Sequence, residues 1–329
     1  MSTRRGGSGM PRMLDLLAAG DALTGPELAS MLGISRAAVW KQIETWRKAG
    51  LEIDSGAHGY RLVHPLDLLD VNRIRACLPA TAQRRVGTLE NHWRLDSTSS
   101  ELARRAAGLP DLSFVFADWQ QAGRGRRGRQ WLSPPAVNLQ FSCLKHFAGG
   151  YAALSGLSLA AGVAAARALE DCGVRGVTLK WPNDLVHGDA KLGGILVELG
   201  GEFMGPCQAI VGIGINVRLS EATRTALDRP CTDLANLLGG TPPSRNALAA
   251  ALIARLVETL DAFDASGFAA FTQAWAERDA LAGRRIRVEG AHATFGGTAA
   301  GVDARGALRV QTDDGMRTID SAEVTVRAG

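Results

Sequence analysis

GRGRRGR, from Gly123 to Arg129, is the stretch whose reading decides the fold of this 329-residue chain. Read for its glycines it is G-x-G-x-x-G, at Gly123, Gly125 and Gly128, after a strand predicted over 113–118. A Rossmann crevice then needs a helix opening on the last glycine and an acidic residue about 20 positions on to hold a ribose. Trp131-Leu132-Ser133-Pro134-Pro135 cannot open a regular helix, and no Asp or Glu occurs between Trp119 and Leu169. The dinucleotide reading fails on both counts.

What remains is a loop with four guanidinium groups. The acid-free window carries Arg124, Arg126, Arg127, Arg129, Lys145 and Arg167, a local excess hidden in a net charge of only +4. Arginine forks suit carboxylate and phosphate oxygens, and glycines let the backbone close over a ligand. A solvated basic loop or a nucleic-acid patch are the alternatives. Interleaved glycines and the following Trp131 favour a small anion.

Three further stretches lie downstream. In KWPNDL, Lys180 to Leu185, Pro182 fixes a turn that carries Lys180, Asn183 and Asp184, although Asn-Asp is also ordinary turn chemistry. In KLGGILVEL, Lys191 stands just before Gly193-Gly194, which keeps bulky neighbours away from its ammonium, although a lone lysine is more often surface decoration. GIGIN, Gly212 to Asn216, reads as a buried strand of small residues ending in an amide able to read a base edge.

Strands and helices alternate through this region. Strands are predicted over 113–118, 138–144, 177–181, 194–199 and 209–217, and helices over 99–107, 152–172 and 246–266. The uncharged run 147–166 is rich in Ala, Gly and Ser, so it reads as a buried helix rather than a membrane span. Beyond about Leu281 short strands at 285–289, 294–303, 307–311 and 316–320 suggest a small barrel.

The first 65 residues have a different texture. A short helix at 13–19 is followed by Thr24-Gly25-Pro26-Glu27, a capped helix start, and by Gly33, a left-handed stop. Ser35 caps a further helix over 36–49, with Val39, Ile43 and Trp46 inward and Lys41, Arg47 and Lys48 outward. Strands at 51–53 and 60–62 add a wing. The functional reading is a winged helix-turn-helix, with Ser35, Arg36, Ala37, Trp40 and Lys41 facing a major groove. Eight Lys or Arg against six Asp or Glu up to His64 leave a three-helix protein-interaction module open. His64-Pro65-Leu66 reads as a linker.

Five widely spaced cysteines without a CxxC pair fit a reducing cytosol rather than a zinc ribbon or disulfide framework. No signal-peptide stretch follows Arg4 and Arg5, so a cytoplasmic protein with no membrane partner is expected.

Taken in order, DSTSS (Asp96 to Ser100), QQAGRGRRGRQW (Gln120 to Trp131), KWPNDL, KLGGILVE and GIGIN closely resemble the biotin protein ligase family. The helix-turn-helix ahead of them resembles its bifunctional form, ligase and biotin operon repressor in one chain. The resemblance spans about 12–326 and implies an α+β protein of three domains. These are a winged helix-turn-helix DNA-binding domain at 1–65, a mixed-sheet, class II synthetase-like biotin/lipoate ligase domain at 66–280, and an SH3-like β-barrel at 281–329.

The implied reaction uses ATP, biotin and Mg²⁺ to make biotinyl-5'-AMP and then biotinylates a lysine of biotin carboxyl carrier protein. Operator DNA and a homodimer of the adenylate-bound form complete the implied partners. Position by position, Ser97, Thr98, Ser99, Gln120, Arg124, Gly125, Arg126 and Lys191 match biotin-contacting residues. Trp131 and Asn216 match residues near the adenine, with Arg127 and Arg129 at the phosphates. Lys180 joins Lys191 and Arg126 around the activated carboxylate, and Asp184 falls where the acceptor lysine is oriented. Two positions depart from the family: Ser99 stands where Asn is common, and Arg218 follows GIGINV where Asn is usual. A ligase with a silent first domain, a sensor without ligase activity and a lipoate ligase are the competing readings.

Overall fold

A computed structural model describes residues 11–227, 229–289 and 294–320, and the backbone of 325–328. Arg4 and Arg5 lie outside the described residues. The first unit holds α1 (Arg12–Ala18), α2 (Gly25–Leu32) and α3 (Arg36–Lys48), then the wing, β1 (Ile53–Gly56) and β2 (Gly59–Leu62). Its local rules are those the sequence states. Thr24 and Glu27 form a reciprocal capping box, Gly33 ends α2 at φ 65°, and the Ser35 hydroxyl accepts from Ala38 N at 3.1 Å. Val39, Ile43 and Trp46 are buried as expected. Arg47 is not outward: its Nε and Nη2 donate to Ile53 O at 2.9 and 2.6 Å, which staples α3 to the wing.

After α4 (Val71–Cys77) and α5 (Ala80–Arg85) comes a seven-stranded mixed sheet. Its strands are β3 (Leu89–Leu95), β4 (Ser113–Gln120), β5 (Leu139–Phe147), β6 (Val177–Lys180), β7 (Asp184–His187), β8 (Ala190–Gly201) and β9 (Cys207–Ile215). They lie in the order β3-β4-β5-β9-β8-β7-β6, and only β3 and β4 run parallel. Strand alternation splits the core between the two faces. Val115 turns to α6 (Thr98–Arg105), while Phe114 and Phe116 turn to the larger core of α7 (Leu157–Asp171) and α10 (Arg245–Ser266). The helix expected over 152–172 begins late, because a separate turn at Tyr151–Leu154 and Gly156 at φ 81° precede α7. Short helices α8 (Glu221–Ala226), α9 (Leu234–Leu237) and α11 (Thr272–Ala276) fill the remaining connections.

The last unit is antiparallel: β10 (Arg285–Glu289), β11 (Thr294–Val302), β12 (Leu308–Thr312), β13 (Gly315–Ile319) and β14 (Thr325–Ala328), ordered β13-β12-β11-β10-β14. A four-strand meander with the fifth strand returned beside the first is the succession of the expected small barrel. Trp181 Nε1 donates to Gly306 O at 3.1 Å and anchors this unit to the central one.

The linker is not loose. Asp67 accepts from Ser244 Oγ at 2.8 Å and from Arg245 N at the start of α10. Arg245 then donates to Asp67 O and to Asp118 Oδ1, both at 2.8 Å, with side chains 3 % and 1 % exposed. A buried pair broken from one side leaves an unanswered charge in a low dielectric. Asp118→Ala should therefore cost about 3–5 kcal/mol in urea unfolding. Asp261→Ala, which breaks the exposed pair with Arg85, should cost less than about 1 kcal/mol.

Candidate functional site

The site forms where the middle of the sheet meets the Gly-Arg loop. Antiparallel pairing puts Asp184 opposite Gly194, and a register shift between Leu185 and Val186 then brings Val186 opposite Lys191. Because side chains alternate, the extra residue of this bulge turns Lys191 onto the face of Asp184; in an unbulged ladder it would point away. Lys191 Nζ consequently reaches over Gly194 and makes a short ion pair with Asp184 Oδ1. Burial pushes the Lys191 pKa below the usual lysine range, and Asp184 opposes that shift.

The Gly-Arg loop closes on itself. Gly125 N donates to Arg129 O at 2.8 Å, and Trp131 N to Gly123 O at 2.9 Å. Arg127 sits in left-handed backbone at φ 56°, the sparsely populated geometry that functional loops often store. Within the loop Arg126 is half-buried and donates to Asn183 Oδ1 at 3.4 Å, and burial lowers its pKa. Arg124 pairs with Glu198 on β8 at 2.7 Å. The Trp131 indole lies against Gly214, where an added Cβ would come within 2.5 Å of the ring, and Lys191 Nζ stands 5.9 Å from the ring centre.

At the other end the cavity is neutral and hydroxyl-lined. Gln120 Oε1 accepts from Thr98 N at 2.8 Å and from Thr98 Oγ1 at 3.1 Å. Thr98 and Ser99 hydroxyls each meet Ser142 Oγ, at 2.8 and 2.9 Å. Ser97 belongs to the same wall.

Ser97, Thr98, Ser99, Gln120, Arg124, Gly125, Arg126, Arg129, Trp131, Asp184 and Lys191 thus line one cavity. Lys180, Arg127 and Asn216 do not line it. Lys180 ends β6 on the side of Asp189, whose carboxyl is held low by Arg284 first and by Lys180 last. Arg127 is exposed. The Asn216 amide, expected to read a base, donates through Nδ2 to Thr232 O at 3.1 Å and to Lys191 O at 3.4 Å. Arg218 donates to Gly240 O at 2.7 Å, away from the cavity. Sequence reasoning missed Gln140, Ser142 and Arg229 in the wall. Polar Gln140 and Ser142 alternating with Leu139, Phe141 and Cys143 were the available signal.

Residues 93–216 match the biotin/lipoate A/B protein ligase family, residues 282–327 the biotin protein ligase C terminal domain, and residues 12–61 an HTH domain. The bifunctional ligase/repressor BirA of Escherichia coli K12 is 34 % identical over 318 residues, 96 % of this chain and 97 % of its own length. The chain belongs to the biotin protein ligase family. A biotin--[acetyl-CoA-carboxylase] ligase of Paracoccus denitrificans is 36 % identical over 239 residues, covering 70 % of this chain and 97 % of that one. Among solved structures, the biotin protein ligase of Aquifex aeolicus in complex with biotin and ATP superposes with a TM-score of 0.63 at 27 % identity. That match covers 74 % of this chain and 99 % of the Aquifex one.

Within this ligase the Trp131–Gly214 contact is open to a direct test. Gly214→Ala should displace the indole and lower thermal stability. In a Trp131→Ala background the same change should cost much less. Melting of the double-mutant cycle should read a coupling of about 1–3 kcal/mol, whereas additive losses would show that the ring does not depend on the glycine.

Proposed function

We propose that this ligase works in two steps at the cavity just described, and that its first unit reports occupancy of the cavity to DNA. A biotin carboxylate oxygen attacks the α-phosphorus of ATP and pyrophosphate leaves, giving biotinyl-5'-AMP. The neutral amine of a lysine on biotin carboxyl carrier protein then attacks the carbonyl carbon and AMP leaves. The observation that carries this reading is the union of a neutral hydroxyl pocket, suited to an uncharged head group, with a cationic mouth suited to the meeting of two anions.

Lys191 and Arg126 are placed to neutralise charge as it develops between carboxylate and phosphate, where fixed cations in a water-poor site are most effective. The Gly-Arg loop covers the mixed anhydride against water. Trp131 offers a flat face for the adenine, and Arg129 lies at the phosphates. Asp184 accepts one hydrogen bond from Lys191, so its other carboxylate oxygen is the one free to orient the incoming amine. Mg²⁺ enters with the triphosphate as part of the substrate, as a hard cation that keeps several waters and binds mainly through phosphate oxygens. The Paracoccus relative's named target supports a carboxylase carrier domain as acceptor. No described helix is long and apolar enough to cross a membrane.

For the repressor role, Ser35, Arg36, Ala37, Trp40 and Lys41 are all exposed along α3, Trp40 by 58 %. The segment from Trp131 to Val137 links the two activities. Trp131 lines the cavity, Pro134 packs 3.2 Å from where a Gly50 Cβ would stand, and Ala136 joins the apolar core of Trp46 and Leu51. A homodimer formed by the adenylate-bound chain, repressing biotin synthesis genes, completes the proposal.

Incubation with ATP, labelled biotin and a carrier domain should label one acceptor lysine; labelling with lipoate alone would overturn the reading. Lys191→Ala should slow adenylate formation about a hundred- to a thousandfold. Lys191 is charged only below its lowered pKa, so activity should fall as pH rises through a value under 10.5. Lys191→Arg should lose that alkaline limb. For DNA, a gel shift with a biotin-gene promoter should tighten on adding biotin and ATP and weaken steeply with salt. Trp40→Ala should abolish the shift without touching ligase turnover; equal binding to unrelated duplex would reduce the first unit to a silent domain.

A further inference from the structure

Arg229 stands in the cavity wall but belongs to none of the motifs on which the ligase reading rests. Its position is set by a short parallel bridge. Lys191 N donates to Pro230 O and Thr232 N donates to Lys191 O, both at 2.9 Å. Asn216 clamps the same segment through Thr232 O at 3.1 Å. The residue after Arg229 is thus tied to the backbone of Lys191 itself, and the Arg229 guanidinium lies close enough to disfavour the Lys191 charge. Arg229 Nε is buried and has no hydrogen-bond partner among the described residues.

Two cations therefore share one stretch of wall, and the carboxylate beside them, Asp184, is already engaged by Lys191. A buried donor without a partner and two neighbouring like charges both raise the free energy of the empty site. Both are relieved by anionic oxygens placed between them. Biotin's carboxylate brings a single negative charge, which Lys191 alone can answer. Lys191, Arg126, Arg129 and Arg229 together match the several charges of a triphosphate.

We propose that Arg229 is a ligand of the phosphate oxygens of ATP, delivered to the cavity by the backbone bridge to Lys191. This rests on the ligase reading and names a further cation for its first step. The Asn216 amide, through Thr232, serves the nucleotide at one remove by holding that bridge, and is a positioning residue.

The test uses the full chain and the substitutions Arg229→Gln and Arg229→Lys. In pyrophosphate release, the KM for ATP should rise about ten- to a hundredfold for Gln and less for Lys, as expected for one lost charge-assisted contact. The Kd of biotin alone, by calorimetry, should stay unchanged. Calorimetry of α,β-methylene-ATP in the presence of biotin requires no turnover, so it reads Arg229 even if the wild type releases no pyrophosphate, an outcome that would sink the ligase reading by itself. An unchanged affinity for that analogue in Arg229→Gln overturns the proposal. Lost biotin affinity with an unmoved KM for ATP also overturns it, by moving Arg229 to the carboxylate. Should the Gln variant fail to fold, Arg229→Lys decides: wild-type KM and analogue affinity in it refute the need for a guanidinium fork.

Discussion

Lys191 carries a charge that its own surroundings resist, and several parts of the central unit exist in the form they do because that charge is kept in place. The bulge at the β7–β8 register shift turns its side chain toward Asp184. Gly194 leaves room for the ammonium, and the 230–232 segment pins its backbone from the other side. Burial of the pair costs desolvation that a salt bridge rarely repays in full. In the free protein the arrangement is a liability for stability. An anion beside the pair would offset that cost, since fixed charge in a partly dry cavity favours a ligand of opposite sign.

The second constraint is that one short stretch serves two units. From Trp131 to Val137 the chain leaves the cavity, passes Pro134 against the end of α3 and buries Ala136 among the apolar residues of the first unit. Trp93 on β3 joins the same core. The first unit is therefore packed on the catalytic one rather than tethered to it. The Asp67–Arg245–Asp118 network ties down the chain just after the linker beside this contact, where Ala136 N donates to Asp118 O at 2.7 Å.

Local chemistry was the legible part of the sequence. Capping residues Thr24, Ser35 and the stop at Gly33 depend on neighbours a few positions away, and the structure has them as read. The Gly-Arg loop was legible because its charge pattern is unusual and contiguous. What could not be read depends on pairing at long range. The bulge that turns Lys191 toward Asp184 is a register property. The staple by Arg47 needs the wing carbonyl of Ile53, and β3 was missed although its pairing with β4 sets one edge of the sheet. Asn216 illustrates the limit best: that its amide nitrogen donates to the backbone oxygens of Thr232 and Lys191 cannot be read from a strand-end motif. Arg229 had no motif around it, and only the backbone bridge reveals where it points.

The neutral end of the cavity follows a different rule from the charged end. Ser99 closes a chain that runs Gln120–Thr98–Ser142–Ser99. In each of the two hydroxyl–hydroxyl contacts either oxygen can donate, so the chain can turn to offer a ligand a hydrogen or a lone pair. An amide has its donor and acceptor ends fixed; linked hydroxyls keep both options and polarise one another along the chain. Gln140, in the same wall, has a buried Oε1 with no hydrogen-bond partner among the described residues. With Ser99 in place the wall keeps its hydrogen-bonding capacity in a network whose members set one another, rather than in a single rigid side chain.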